Sequence, residues 1–103
     1  MYLKDHIANG TRLIAICDRE LVGQTFTDGA LRLKVSEFFY KGELTAPDGV
    51  KNALRRVEVA NLVGERSIAC ALEEGFITKD NILMIDGVPH AQMAMDAGPA
   101  ARM

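Results

Sequence analysis

Two dipeptides, Asn9-Gly10 and Asp86-Gly87, do most to limit what this chain can fold into. Each separates two apolar-rich runs of strand length. Glycine takes a positive φ at no steric cost, and Asn and Asp take it more readily than other residues. Each pair therefore suits the two-residue type I′ turn whose twist matches that of the flanking strands. The first turn predicts strands over Tyr2–Ala8 and Arg12–Asp18, with Leu3 opposite Ile16, Asp5 opposite Ile14, His6 opposite Leu13 and Ile7 opposite Arg12. The second predicts a hairpin over Ile82–Gln92, with Ile82 opposite Ala91, Leu83 opposite His90, Met84 opposite Pro89 and Ile85 opposite Val88. Pro89 has no amide hydrogen, so its strand is expected at a sheet edge or with irregular pairing.

The residues between the hairpins supply a third strand and two helices. Leu13–Cys17 is apolar on both faces and reads as a strand inside the sheet. Asp18–Gln24 reads as a turn or a single helical turn. Leu31, Leu33 and Val35 alternate with Arg32 and Lys34, the pattern of a half-buried strand. Ser36 caps a short turn through Glu37-Phe38-Phe39-Tyr40, whose three adjacent aromatics are expected to seal one end of the core, or else to form a small stacking or docking surface. Thr45, Pro47 and Asp48 mark a helix start, and Val50, Ala53, Leu54 and Val57 give that helix one apolar face, ending near Glu58–Ala60. Asn61 then reads as the N-cap of a second helix running to about Glu74, with Ile68, Ala71, Leu72 and Gly75 on one face and Gly75 as its left-handed terminator. The fold class expected is α+β: a mostly antiparallel sheet built from the N- and C-terminal hairpins plus a third strand, covered on one face by a helical pair. Residues 1–94 are expected to form a single domain, and the small-residue run 95–103 a disordered tail.

Composition narrows the function classes. The 103 residues carry a net charge of −2, and residues 1–50 and 51–103 each hold six basic and seven acidic side chains. A nucleic-acid binder usually has a basic domain or stripe; here only a local patch is available. No apolar run reaches transmembrane length, and the N-terminus has neither signal-peptide nor transit-peptide character, so a cytoplasmic location with no membrane partner is expected. Cys17 and Cys70 lie in apolar surroundings and read as buried thiols. The spacings that mark metal sites and the glycine patterns of mononucleotide or dinucleotide loops are absent from the sequence, so neither a metal nor a cofactor is expected.

The candidate binding residues are Asn61, Gly64, Arg66, Gly87, His90 and Gln92. Free amides at a helix start attract phosphate or carboxylate, and a glycine in the first turn admits a close approach. Lys51, Arg55 and Arg56 on the preceding helix would add positive charge, whereas Glu65 in the same turn opposes an anion. His90 is the candidate general acid/base, with Glu65 or Asp86 beside it; an alternative use of its nitrogens is to satisfy backbone groups near Pro89. His6 and His90 would meet if the two hairpins lay side by side.

Three segments, Asn61-Leu62-Val63-Gly64-Glu65-Arg66, Gly87-Val88-Pro89-His90-Ala91-Gln92, and Leu31-Arg32-Leu33-Lys34-Val35-Ser36 followed by Phe39-Tyr40, together resemble a small archaeal family of unknown function. The resemblance runs from about Met1 to Met93. It implies an archaeal, cytoplasmic protein and carries over no activity. The leading functional reading is a small binding or accessory module recognising a phosphate-bearing ligand, an RNA segment or a partner protein. The alternative is a small enzyme using His90. An edge strand near Pro89, followed by apolar Met93 and Met95, calls for cover, which a homodimer would supply.

Overall fold

The structure, a computed structural model, describes residues 1–94, with the backbone alone at Ala8. Tyr2–Ala8 (β1) and Thr11–Cys17 (β2) form the first hairpin, in the register the Asn9-Gly10 turn predicts. Ile82–Ile85 (β7) and Val88–Ala94 (β8) form the last, again in the predicted register. All four turn residues are left-handed, with φ of 53° at Asn9, 78° at Gly10, 51° at Asp86 and 78° at Gly87.

A strand that the sequence reading assigned in part to a helix joins the two hairpins. Val59–Val63 (β6) runs parallel to β2 and antiparallel to β8. With the two-residue strand Glu43–Leu44 (β5) on β1, the six-stranded order is β5-β1-β2-β6-β8-β7. Asn61 is therefore a mid-strand residue opposite Ala15 and Gln92, and not a helix cap. The physical reason is burial: Ala60 and Leu62 fill one face while Val63 fills the other, so the slot between β2 and β8 selects a β-branched, two-faced segment over a helical turn. The helices Pro47–Leu54 (α2) and Glu65–Glu73 (α3) pack on one sheet face, but β6 separates them in the chain and no helical corner forms. Helix α2 also starts later than expected, with Ala46 at the cap position. Thr45 is drawn into the sheet edge, where its amide donates to the Met1 carbonyl at 2.7 Å.

Thr25–Asp28 (β3) and Leu31–Lys34 (β4) form a separate two-stranded ribbon, so the predicted third strand exists but lies off the main sheet. This ribbon and the short helix Glu37–Tyr40 (α1), capped by Ser36, cover part of the sheet face opposite α2 and α3. The core is thus two-layered. Ile14, Ile16, Val50, Leu54, Leu62 and Ile68 pack beneath the helices, while Ala15, Cys17, Leu33, Val35, Tyr40 and Val63 pack beneath the ribbon.

Of the two settings expected for Pro89, the edge strand is not found: β8 is interior, but its pairing with β6 stops at His90, so Pro89 is paired on the β7 side alone. Its missing amide costs no ladder bond, because β6 ends beside it. Gly64 donates its amide to the Pro89 carbonyl at 2.9 Å, and the Gly64 carbonyl accepts instead from Ile68 in the first turn of α3. At the far end of α3, Gly75 has φ 75°; the Gly75 amide donates to Leu72 and the Phe76 amide to Ala71, the paired bonds of a Schellman terminator. No helix among the described residues is long and apolar enough to cross a membrane. The expected disordered tail, 95–103, lies outside the described residues.

Candidate functional site

The six candidate residues fall on two adjoining surfaces. Asn61 and Gln92 are register partners on β6 and β8, and His90 is the register partner of Val63 two residues along. Side chains at alternate positions share a face, so Asn61, His90 and Gln92 all project from the face that carries Ala15 and Val63, away from α2 and α3. The ribbon and α1 bury Ala15, Cys17 and Val63 completely, yet Leu13, Val59, Asn61 and His90 are half-buried and Leu83, Gln92 and Ala94 are exposed. Half of this face is therefore uncovered.

Gly64 and Gly87 instead line a cleft of about 180 Å³ at the carboxyl ends of the parallel pair, together with Asp18, Glu20, Leu21, Glu65, Val88 and Pro89. Asp18 decides what this cleft can hold. Cys17 is the register partner of Val63, so Asp18 follows β2 just where Gly64 follows β6. The Asp18 carboxylate is buried and accepts bonds from the Arg66 amide at 3.0 Å, the Ser67 amide at 2.9 Å and the Ser67 hydroxyl at 2.9 Å. It caps α3 from a neighbouring strand, since Gly64 at the cap position has no side chain. Two of the amides that would hold an anion, those of Arg66 and Ser67, are already engaged by this carboxylate. Glu65 and Glu20 add further negative charge; the Glu20 carboxyl is held below its ordinary range first by a bond to its own backbone amide and then by the exposed Arg66 guanidinium that pairs with it. Lys51 and Arg55 bond Glu73 at the end of α3 and Glu74 at its C-cap, and so are not gathered at the helix start.

Burial pushes the His90 imidazolium pKa down, and among the described residues no side chain is hydrogen-bonded or ion-paired to it. His6 lies on β1, three strands from β8, roughly 14 Å at the usual interstrand spacing, so the two imidazoles do not meet. His6 bonds the Phe39 carbonyl through Nε2 at 2.8 Å and stacks on the Phe39 ring, with centroids 4.5 Å apart and planes 14° apart. Beside it, Lys4 donates to the Phe38 carbonyl and lies 4.8 Å from the centroid of the Phe38 ring, which is 81% exposed. The three adjacent aromatics thus split: Tyr40 enters the core, Phe39 stacks at the sheet rim, and Phe38 faces solvent.

The profile of a family described as "Protein of unknown function (DUF424)" matches residues 6–95. The chain belongs to this family. The family resemblance read from the Asn61, Gly87 and Leu31 segments is thereby shown, and its description assigns no activity. The chain is also similar to an uncharacterised conserved protein from Methanopyrus kandleri, an archaeon, known from a crystal structure. Identity is 29%, the TM-score is 0.77, and the match covers 95% of this chain and 94% of that one. The comparison with curated proteins gives no match.

Sequence reasoning missed Asp18 and Lys4 as parts of these surfaces; it named His6 and the Phe38–Tyr40 run, but not the stack that joins His6 to Phe39. An aspartate directly after a fully apolar strand was the available signal for Asp18. Its partner lies 48 residues on, beyond the reach of any local spacing rule.

Proposed function

We propose that this chain is a cytoplasmic binding module that acts by contacts, and that its working surface is the uncovered half of the sheet bearing Asn61, His90 and Gln92. The observation that carries the reading is the exposure itself. A sheet shielded by two helices on one side leaves Leu13, Val59, Leu83 and three polar side chains partly open on the other. An acid/base enzyme is less well supported, because among the described residues no carboxylate is bonded to His90. A phosphate at the start of α3 is less well supported too, because Asp18 takes two of the amides it would use and puts a buried negative charge there.

Photo-crosslinking tests this. Gln92→benzoylphenylalanine places the probe on the open face, and Glu73→benzoylphenylalanine places it on the helical side. The reading expects an adduct, of whatever class, from the Gln92 probe in native cytoplasm. Adducts from the Glu73 probe alone, or from neither, reject it. Self-association is proposed at the β7 edge, where Ile82–Ile85 carries no charge and Leu83 and Met84 are 46% and 51% exposed. Gel filtration at two concentrations tests that, and an elution volume independent of concentration rejects it.

A further inference from the structure

We infer that the ligand of the open sheet face is a single-stranded polynucleotide, an inference that rests on the binding reading above. The argument is charge and ring chemistry on one surface. The fourteen acidic residues of the chain are placed so that none of the described ones lies on this face of β1, β2, β6, β7 or β8. Asp5 points to the opposite face, across from Ile14. Asp18, Glu20 and Glu65 gather in the cleft at the strand ends, and Glu73 and Glu74 lie on α3. The basic side chains on this face are Lys4, His6 and His90, beside the half-buried Tyr2 phenol and the buried Cys17 thiol. In a chain of net charge −2, that segregation makes an acid-free strip suited to a phosphate backbone.

The remaining groups fit bases. The Asn61 and Gln92 amides stand side by side, each with donors and an acceptor for base edges. The His6–Phe39 stack and the exposed Phe38 ring beside Lys4 offer planar surfaces at the β1 rim, while Leu83 and Val59 provide apolar contact. Successive bases laid on a sheet and stacked on rim aromatics are a general mode of single-strand recognition, tolerant of sequence. A duplex presents its bases stacked inward and would meet only the cationic groups.

Fluorescence anisotropy with labelled oligomers of about ten nucleotides, one RNA and one DNA, tests this on the full chain. Binding of either single strand supports the inference, and the stronger arm identifies the sugar. Gln92→Glu puts a carboxylate in the centre of the strip and is expected to weaken binding at least tenfold, on the order of one unfavourable charge contact. Phe38→Ala removes a stacking surface and is expected to weaken binding several-fold, whereas Glu73→Gln on the helical side leaves it unchanged. With about two phosphates neutralised, raising salt from about 50 to about 200 mM should weaken binding about sevenfold. No binding of either strand at the lower salt, equal affinity for a duplex of the same length, or affinity indifferent to Gln92→Glu overturns the inference. Thermal unfolding of each variant separates lost binding from lost fold. If the Gln92 crosslinks carry protein and not nucleic acid, the ligand class is wrong and the working surface stands; if there are none, both fall.

Discussion

Asp18→Ala is expected to be among the most damaging single substitutions in the chain. The carboxylate is 3% exposed and accepts three bonds of 2.9 to 3.0 Å, two from backbone amides at the start of α3 and one from the Ser67 hydroxyl, which is itself 0% exposed. Loss of a helix cap costs about 0.5–2 kcal/mol. A buried hydroxyl and amide left without acceptors cost about 1–3 kcal/mol each. These terms overlap, so the expected loss is about 3–5 kcal/mol, a large part of the ~5–15 kcal/mol that holds a domain of this size folded. Asp18→Asn keeps one oxygen in place and gives up the charge; it should cost about 1–2 kcal/mol. Urea denaturation followed by circular dichroism measures both, and an unchanged slope would confirm that stability alone has moved. The cycle with Ser67→Ala should give a coupling of at least about 1 kcal/mol, since the two side chains share one bond. A loss below about 1 kcal/mol for Asp18→Ala, or equal losses for Ala and Asn, would refute the capping argument.

Gly64→Ala should unfold or nearly unfold the chain: φ is 105° and the added Cβ would lie 2.3 Å from the Asp18 Cγ, so circular dichroism should show a loss larger than the ~1–3 kcal/mol of backbone strain alone. Gly10→Ala and Gly87→Ala meet no neighbour within 4 Å, so each should cost only about 1–2 kcal/mol of left-handed strain in urea melts. Burial pushes the Cys17 thiol and the Tyr40 phenol each up to about 12. Both groups ionise earlier in the unfolded chain, near about 8.5 and 10, so their contribution is complete below pH about 8.5 and is lost as pH rises towards 12. Thermal midpoints should therefore fall steadily above pH 9, and Cys17→Ala should flatten the start of that fall. Neither Cys17 nor Cys70, both buried with raised pKa, should react with iodoacetamide at pH 8 until the protein unfolds, as mass spectrometry would show.

The parts of this structure that were legible in the sequence are those with short-range causes. The Asn9-Gly10 and Asp86-Gly87 turns set both hairpin registers because turn geometry and alternation act within a few residues. Ser36 and Gly75 announced their caps for the same reason. What was not legible depends on contacts across the chain. Asn61 is an acceptable N-cap in isolation; it becomes a strand residue because β2 and β8 leave a slot for β6, with Cys17 paired to Val63 46 residues apart. The candidate residues were likewise visible singly, while their division between an open face and a cleft was not. That division follows from strand alternation at Asn61, His90 and Gln92 and from the end of β6 at Gly64.

The pairing of β2 with β6 also accounts for the charge of the cleft at the strand ends. Parallel neighbours end together, so the residues after Cys17 and Val63 must share one small space. A side chain at Gly64 would occupy the volume of the Asp18 carboxylate, and a shorter residue at 18 would leave the α3 amides bare. The two positions therefore act as one unit, in which one strand end contributes the acid and the other the room for it. Once Asp18 has neutralised the positive end of α3, Glu20 and Glu65 leave the cleft acidic. An anion is then disfavoured at the strand ends, which is consistent with the proposal that an anionic ligand uses the sheet face, where no acid lies among the described strand residues. On the proposed reading, the capping bond that orders α3 would also keep a negatively charged ligand out of the cleft and leave it the face of Asn61, His90 and Gln92.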